Sequence, residues 1–193
     1  MPYHKHLLKA AVLTAASILA FVIPGPQDSF GGDRPDPSPE AYFPGVSASN
    51  LEKRDFNLPA DFAGDRNLLL VAFERGQQSE VDTWLREMKR FGEMDPGFRF
   101  YELPTIQRPS ALTRWFIDNG MRHGIADREA RERTITLYLD KTPFCEALRI
   151  TDQKKIYAFL VDRQGKVLWR SEGPFDETKG ASLQSALVVH RRD

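Results

Sequence analysis

One sulfur atom in a thiol is the most reactive group this chain carries. Cys145 is its single cysteine, in the stretch TPFCEAL. With no second cysteine there is no internal disulfide, no C-x-x-C pair and no Cys/His set at zinc spacing. The sequence therefore offers no metal site and no cofactor motif. If Cys145 lies near the start of a helix opened by Thr142 and Pro143, the helix dipole would favour its thiolate. The plainer reading is a small buried residue, because free cysteine packs well in cores. A second place for chemistry is the polar turn Glu74-Arg75-Gly76-Gln77-Gln78, between an apolar run and a helical pattern. Its backbone N–H groups could hold an anion, but Gly76 stands alone and no phosphate-loop pattern surrounds it. A third is the arginine-rich stretch with Arg108, Arg114, Arg122, His123, Arg128, Arg131 and Arg133. Acidic residues alternate with these, so the default is a salt-bridged surface; a contact site for an acidic partner or ligand is the sharper alternative. His123 has no serine or cysteine paired with it, so no catalytic residue is assigned. The candidate contact surface is Glu74, Arg75, Arg122, His123 and Arg128, with Cys145 as a possible thiol.

The elements that must carry these residues follow from patterning. Leu68–Phe73 (LLLVAF) is a continuous apolar run, as in a strand covered on both faces. Ser79 with Asp82 makes a capping-box-like start. Val81, Trp84, Leu85, Met88 and Phe91 then recur at helical spacing, with Gly92 as the expected C-cap. Asp95-Pro96-Gly97 turns into a second strand, Phe98–Leu103. Pro109 and Ser110 open a helix with Leu112, Trp115 and Phe116 expected inward and Gly120 at its end. Thr134–Leu139 reads as a strand, followed by the short helix holding Cys145. Ile156–Val161 and Lys166–Arg170 flank Asp162-Arg163-Gln164-Gly165, a hairpin signal with Gly165 free to take positive φ. A last helix covers about Ala181–Val189. Trp84, Trp115, Phe116 and Trp169 are all read as core. Strands alternating with helices pair in parallel through right-handed crossovers, and the closing hairpin is antiparallel. The fold class is therefore α/β: a mixed central sheet flanked by helices, with an inserted strand and helix.

Ahead of this domain lie two other segments. Lys5 and Lys9 precede an apolar run from Ala10 to Ile23, about 20 Å as a helix and short for a full crossing. Residues 1–24 read as a secretory signal peptide or, with Leu7 and Leu8 added, as an uncleaved membrane anchor over residues 7–24. Export places the domain outside the cytoplasm, periplasmic or membrane-anchored. Residues 25–46 are rich in Pro, Gly, Ser and Asp and read as a disordered linker, with the domain at 47–193. Lys+Arg and Asp+Glu balance at 27 each, so no net field draws the chain to nucleic acid; a protein partner is the expectation.

The order of elements, ending in IYAFLVDRQGKVLWRSEGP, resembles the thioredoxin-like superfamily over roughly residues 50–190. The segment at about 120–150 and the hairpin VDRQGKVLWR are similar to mitochondrial ATP-synthase assembly factors of the subunit-ten type, which carry a thioredoxin-like domain and help integrate membrane subunits. In thiol-active members of the superfamily C-x-x-C lies at the strand-to-helix turn, and a cis-proline precedes the hairpin's first strand. Here the turn is Glu74–Gln78, without sulfur, and Lys154-Lys155 precede Ile156. The resemblance thus implies the scaffold without the redox chemistry: a non-catalytic binding or assembly module. The alternative is a thiol-dependent oxidoreductase or peroxidase using Cys145.

Overall fold

The computed structural model describes residues 40–191; the leader and most of the linker fall outside them. Seven strands form one mixed sheet in the order β2-β1-β5-β4-β3-β6-β7. They are β1 (Val46–Asn50), β2 (Asp55–Leu58), β3 (Arg66–Ala72), β4 (Phe98–Gln107), β5 (Ile135–Leu139), β6 (Tyr157–Asp162) and β7 (Val167–Glu172). Strands β3, β4 and β5 are mutually parallel, and every other strand pairing is antiparallel. The helices are α1 (Gln78–Leu85), α2 (Met88–Met94), α3 (Ala111–Gly124), α4 (Arg128–Arg133), α5 (Lys141–Ala147) and α6 (Glu177–His190).

Strand β3 lies inside the sheet, which is why Leu68, Leu69, Leu70 and Val71 are all buried. Its side chains alternate between two cores. Leu69 and Val71 join Phe43, Phe56, Leu103, Ile135, Leu137 and the α5 residues Phe144 and Cys145 on one face. Leu68 and Leu70 join Val81, Trp84, Met88, Phe91, Leu183 and Leu187 of α1, α2 and α6 on the other. The stripe read from the sequence is therefore correct, but one helix becomes two. Glu87 N–H bonds Trp84 O, a tighter i→i+3 closure that breaks the run. Gly92 then falls inside α2 and caps nothing.

The hairpin β6–β7 forms as its sequence predicts. The Asp162 carboxylate accepts from Gln164 and Lys166 N–H, each at 2.9 Å, and Gly165 takes φ +82°. A side chain at Gly165 would also strike Pro59. The hairpin holds the start of the domain too. Phe43 N–H donates to Gly165 O at 2.7 Å, Val167 N–H donates to Ala41 O at 2.8 Å, and Phe43 is 3% exposed. Packed chain thus begins ahead of residue 47, because an aromatic side chain at the end of the polar stretch reaches the core.

Two further elements have no counterpart in the sequence reading. The β1–β2 hairpin turns at Lys53 with φ 64°, without the Gly or Asn that signals such a turn. Asn50 carries it instead: its side-chain oxygen accepts from Glu52 and Arg54 N–H, and its amide donates to Glu132 O. Helix α4 is capped by Asp127, which accepts from Glu129 and Ala130 N–H. Helix α5 is capped by Asp140 and not by Thr142, so Cys145 is its fifth residue.

At the start of β3, the Arg66 guanidinium pairs with the nearly buried Asp95 carboxylate and also donates to His190 O, tying β3 to the ends of α2 and α6. Arg66 and the Gly97 N–H hold the Asp95 carboxyl below its ordinary value against the opposing effect of burial. A depressed carboxylate contributes stability above its unfolded pKa and loses it as pH falls. Asp95→Ala is expected to lower unfolding free energy by about 2–3 kcal/mol at neutral pH. That gap should shrink as pH is lowered below about 4, measured by urea denaturation across pH; a gap that does not change with pH would show that the pair contributes no electrostatic stability.

Candidate functional site

The strand-to-helix turn after β3 is closed around one carboxamide. Gln77, buried at the end of a single 3₁₀ turn (Arg75–Gln77), points its side-chain oxygen back at the strand end. That oxygen accepts from Phe73 N–H at 2.7 Å and from Glu74 N–H at 3.1 Å. The Gln77 amide nitrogen donates to Gln153 O at 2.8 Å, joining the turn to the segment that enters β6. The backbone donors that an anion would need at Phe73 and Glu74 are therefore already engaged. Glu74 and Arg75 themselves are exposed.

Cys145 reaches this lock through a single intermediary, Gln153. Its Sγ is 3.7 Å from the Gln153 side-chain nitrogen, while the Gln153 carbonyl receives Gln77. Cys145 is 6% exposed. Burial pushes its pKa up, outweighing the downward pull of Lys141 and of the Gln153 hydrogen bond. A raised pKa leaves the neutral thiol, the poorer nucleophile, at neutral pH. Placement at the fifth helical position also puts it past the first turn, where the dipole acts most. Another buried acid sits near the turn. Glu102 on β4 accepts from Gln78 at 3.4 Å, and burial raises its carboxyl above the usual range.

The basic stretch is largely engaged in ion pairs. Arg122 and Arg131 both reach Glu52 in the β1–β2 turn, the former at 3.4 Å. Arg128 pairs with Glu132 at 2.9 Å and Arg133 with Glu129 at 3.8 Å. His123 turns its Nδ1 to Asn119 O, 2.7 Å away, within its own helix. The expected contact surface does not come together. Glu74 and Arg75 follow the C-terminal end of β3, whereas residues 122–133 lead into the start of β5; because the strands are parallel, these are opposite ends of the sheet. Among the described residues no group of three or more His, Cys, Asp or Glu is placed to hold a metal ion.

Helix α3 corrects the sequence reading most. Spacing puts Leu112, Trp115 and Phe116 inward, yet they are 67%, 59% and 61% exposed, and no residue of α3 is buried. The helix is held by its polar side. Asp118 accepts the Tyr138 O–H at 2.7 Å, and the Arg114 guanidinium lies 4.6 Å over the Tyr138 ring. The helix also runs past Gly120 to Gly124. Spacing identifies residues that share a face, but not what covers that face. Trp84 does lie in the core, donating from its indole to Gly173 O, and Trp169 packs edge-on against it at 6.1 Å.

No family model matches the sequence, and no curated protein matches it. Solved structures do. The thioredoxin domain of a thiol-disulfide oxidoreductase from Bacteroides vulgatus superposes with a TM-score of 0.52 at 16% identity, over 75% of this chain and 94% of that one. Two candidate electron-transfer and electron-transport proteins from Aquifex aeolicus give TM-scores of 0.54 and 0.55 at 12% and 13% identity, each over 79% of this chain and 98% of the other. At such identities the likeness concerns the fold, and the fold is thioredoxin-like.

Neither Gln77 nor Gln153 stands out in the sequence, since an isolated glutamine in a polar turn carries no spacing signal. Gln77→Ala is expected to leave two N–H groups and a carbonyl without their partner, costing about 2–3 kcal/mol. Urea unfolding would measure this, and a loss below about 0.5 kcal/mol would mean the turn is held by something else.

Proposed function

We propose that this chain is a non-catalytic thioredoxin-like binding or assembly module of the cell envelope. The observation that carries the reading is the Gln77 carboxamide, hydrogen-bonded on both sides where thiol-active relatives of this fold hold their sulfur pair. A dithiol site needs an accessible thiolate and a partner sulfur. Here the turn's inward-pointing group is an amide, and the one sulfur is buried with a raised pKa. Placement in the envelope rests on the leader, with its two lysines and apolar run over Ala10–Ile23. A role in assembling a membrane complex rests on the similarity of VDRQGKVLWR and its preceding segment to the mitochondrial ATP-synthase assembly factors. Such a module acts by surface contact, through Glu74 and Arg75 at the end of β3 or through α3.

A thiol-dependent enzyme using Cys145 is the second reading, and the proximity of that sulfur to the Gln77 turn, through Gln153, is what favours it. Turnover separates the two. The full chain is expected to reduce no protein disulfide in the presence of dithiothreitol beyond the reagent's own rate, and to consume no peroxide. Cys145→Ser should behave identically and fold normally. Cys145-dependent turnover of either substrate would overturn the binding-module reading.

A further inference from the structure

Helix α3 presents its charges to the protein and its aromatics to solvent. Arg114 and Asp118 face Tyr138, and Arg122 reaches Glu52. Leu112, Trp115 and Phe116 stand at i, i+3 and i+4 on another side, all exposed, with the two rings meeting edge-on at 5.0 Å. A soluble helix ordinarily shows the reverse arrangement, and a cluster of large exposed apolar groups marks an interaction surface.

The helix is basic where this ridge emerges. Arg108 is exposed just before it, and Arg114 lies in its first turn with its guanidinium on the Tyr138 ring. Asp118, the one acidic residue within α3, is engaged by the Tyr138 hydroxyl. A chain with no net charge thus places the exposed Arg108 at the start of its apolar ridge. The cleft on the Tyr138 side of α3, about 420 Å³ and lined by Ser47, Asp55, Phe56, Asn57, Arg114 and Tyr138, is mainly polar and does not include the ridge residues. An apolar ridge with a tryptophan, preceded by an exposed arginine, matches a helix lying in the headgroup region of an anionic bilayer.

The sequence supplies a reason for the domain to be near a bilayer. The apolar run ends at Ile23 and the described residues begin at Glu40. A chain of that length could reach roughly 50 Å when extended, beyond the ~40 Å breadth expected of a domain this size. We propose that α3 is a bilayer-surface contact, with Leu112, Trp115 and Phe116 entering the interface of anionic lipid and Arg108 facing its phosphates. The proposal rests on the envelope reading above and names the surface that such a module would use.

Brominated acyl chains quench tryptophan that enters a membrane, and Trp84 and Trp169 lie in or against the core. Full-length chain should therefore be mixed with brominated phosphatidylglycerol vesicles and with brominated phosphatidylcholine vesicles. The wild type is expected to be quenched by the first, less by the second, and less again as salt is raised. Trp115→Phe, which keeps the ridge apolar, should abolish the quenching, and since no residue of α3 is buried the variant should fold normally. Vesicle-bound protein whose emission is unquenched, or equally quenched in Trp115→Phe, would overturn the proposal, as would failure to bind vesicles. A concentration-dependent dimer without lipid, lost in a Leu112→Ser, Trp115→Ser, Phe116→Ser variant, would assign the ridge to a second copy instead. Cys145-dependent turnover would sink the non-catalytic reading while leaving the quenching result standing, so the two failures are distinguishable.

Discussion

The Gln77 side chain decides how the end of β3 is finished. A strand covered on both faces must terminate in a turn whose backbone donors find partners away from water. In this chain a single carboxamide meets that requirement for Phe73 and Glu74, and its other end bonds the carbonyl of Gln153 on the way into β6. The same amide therefore closes the turn and fixes the approach of β6. An amide does not ionise in the physiological range or exchange electrons, so the group that closes the turn brings no acid–base or redox chemistry of its own.

Other polar and reactive groups of the described residues are engaged as well. Cys145 packs among Phe144 and Leu148 in the core on one face of the sheet, and burial keeps it protonated. The arginines that crowd residues 122–133 pair with Glu52, Glu129 and Glu132, and those to Glu52 hold α3 and α4 against the β1–β2 turn. The apolar ridge of α3 stands apart from these pairs. A helix attached by a tyrosine–aspartate hydrogen bond and two arginine contacts can display large apolar groups without losing its seat on the domain.

Much of the fold is legible in the sequence. LLLVAF announces the two-sided central strand, and Val81, Trp84, Met88 and Phe91 mark the face that packs on it. The Asp162–Gly165 turn announces the closing hairpin. What is not legible depends on long-range contacts. The β1 strand reads VSASN, too polar and too short for an alternation signal, and its turn places Lys53 at positive φ with support from Asn50. Phe43 reads as part of a disordered stretch because its burial depends on a hairpin far downstream. The Leu112, Trp115 and Phe116 spacing correctly marks one face, yet the Tyr138 hydroxyl, which holds another side, belongs to a strand beyond the next helix. At the turn, the lack of a second cysteine is plain from composition, whereas the carboxamide that closes the turn is not.

The most direct test is the pH dependence of Cys145 alkylation by iodoacetamide, followed by mass spectrometry in folded protein and in urea. A buried thiol with a raised pKa should react far more slowly in the folded chain than in the unfolded one, and its rate should still be climbing above about pH 8.5. Rapid modification of folded protein that levels off below about pH 7 would reveal an accessible thiolate and contradict the account of a closed, non-catalytic turn.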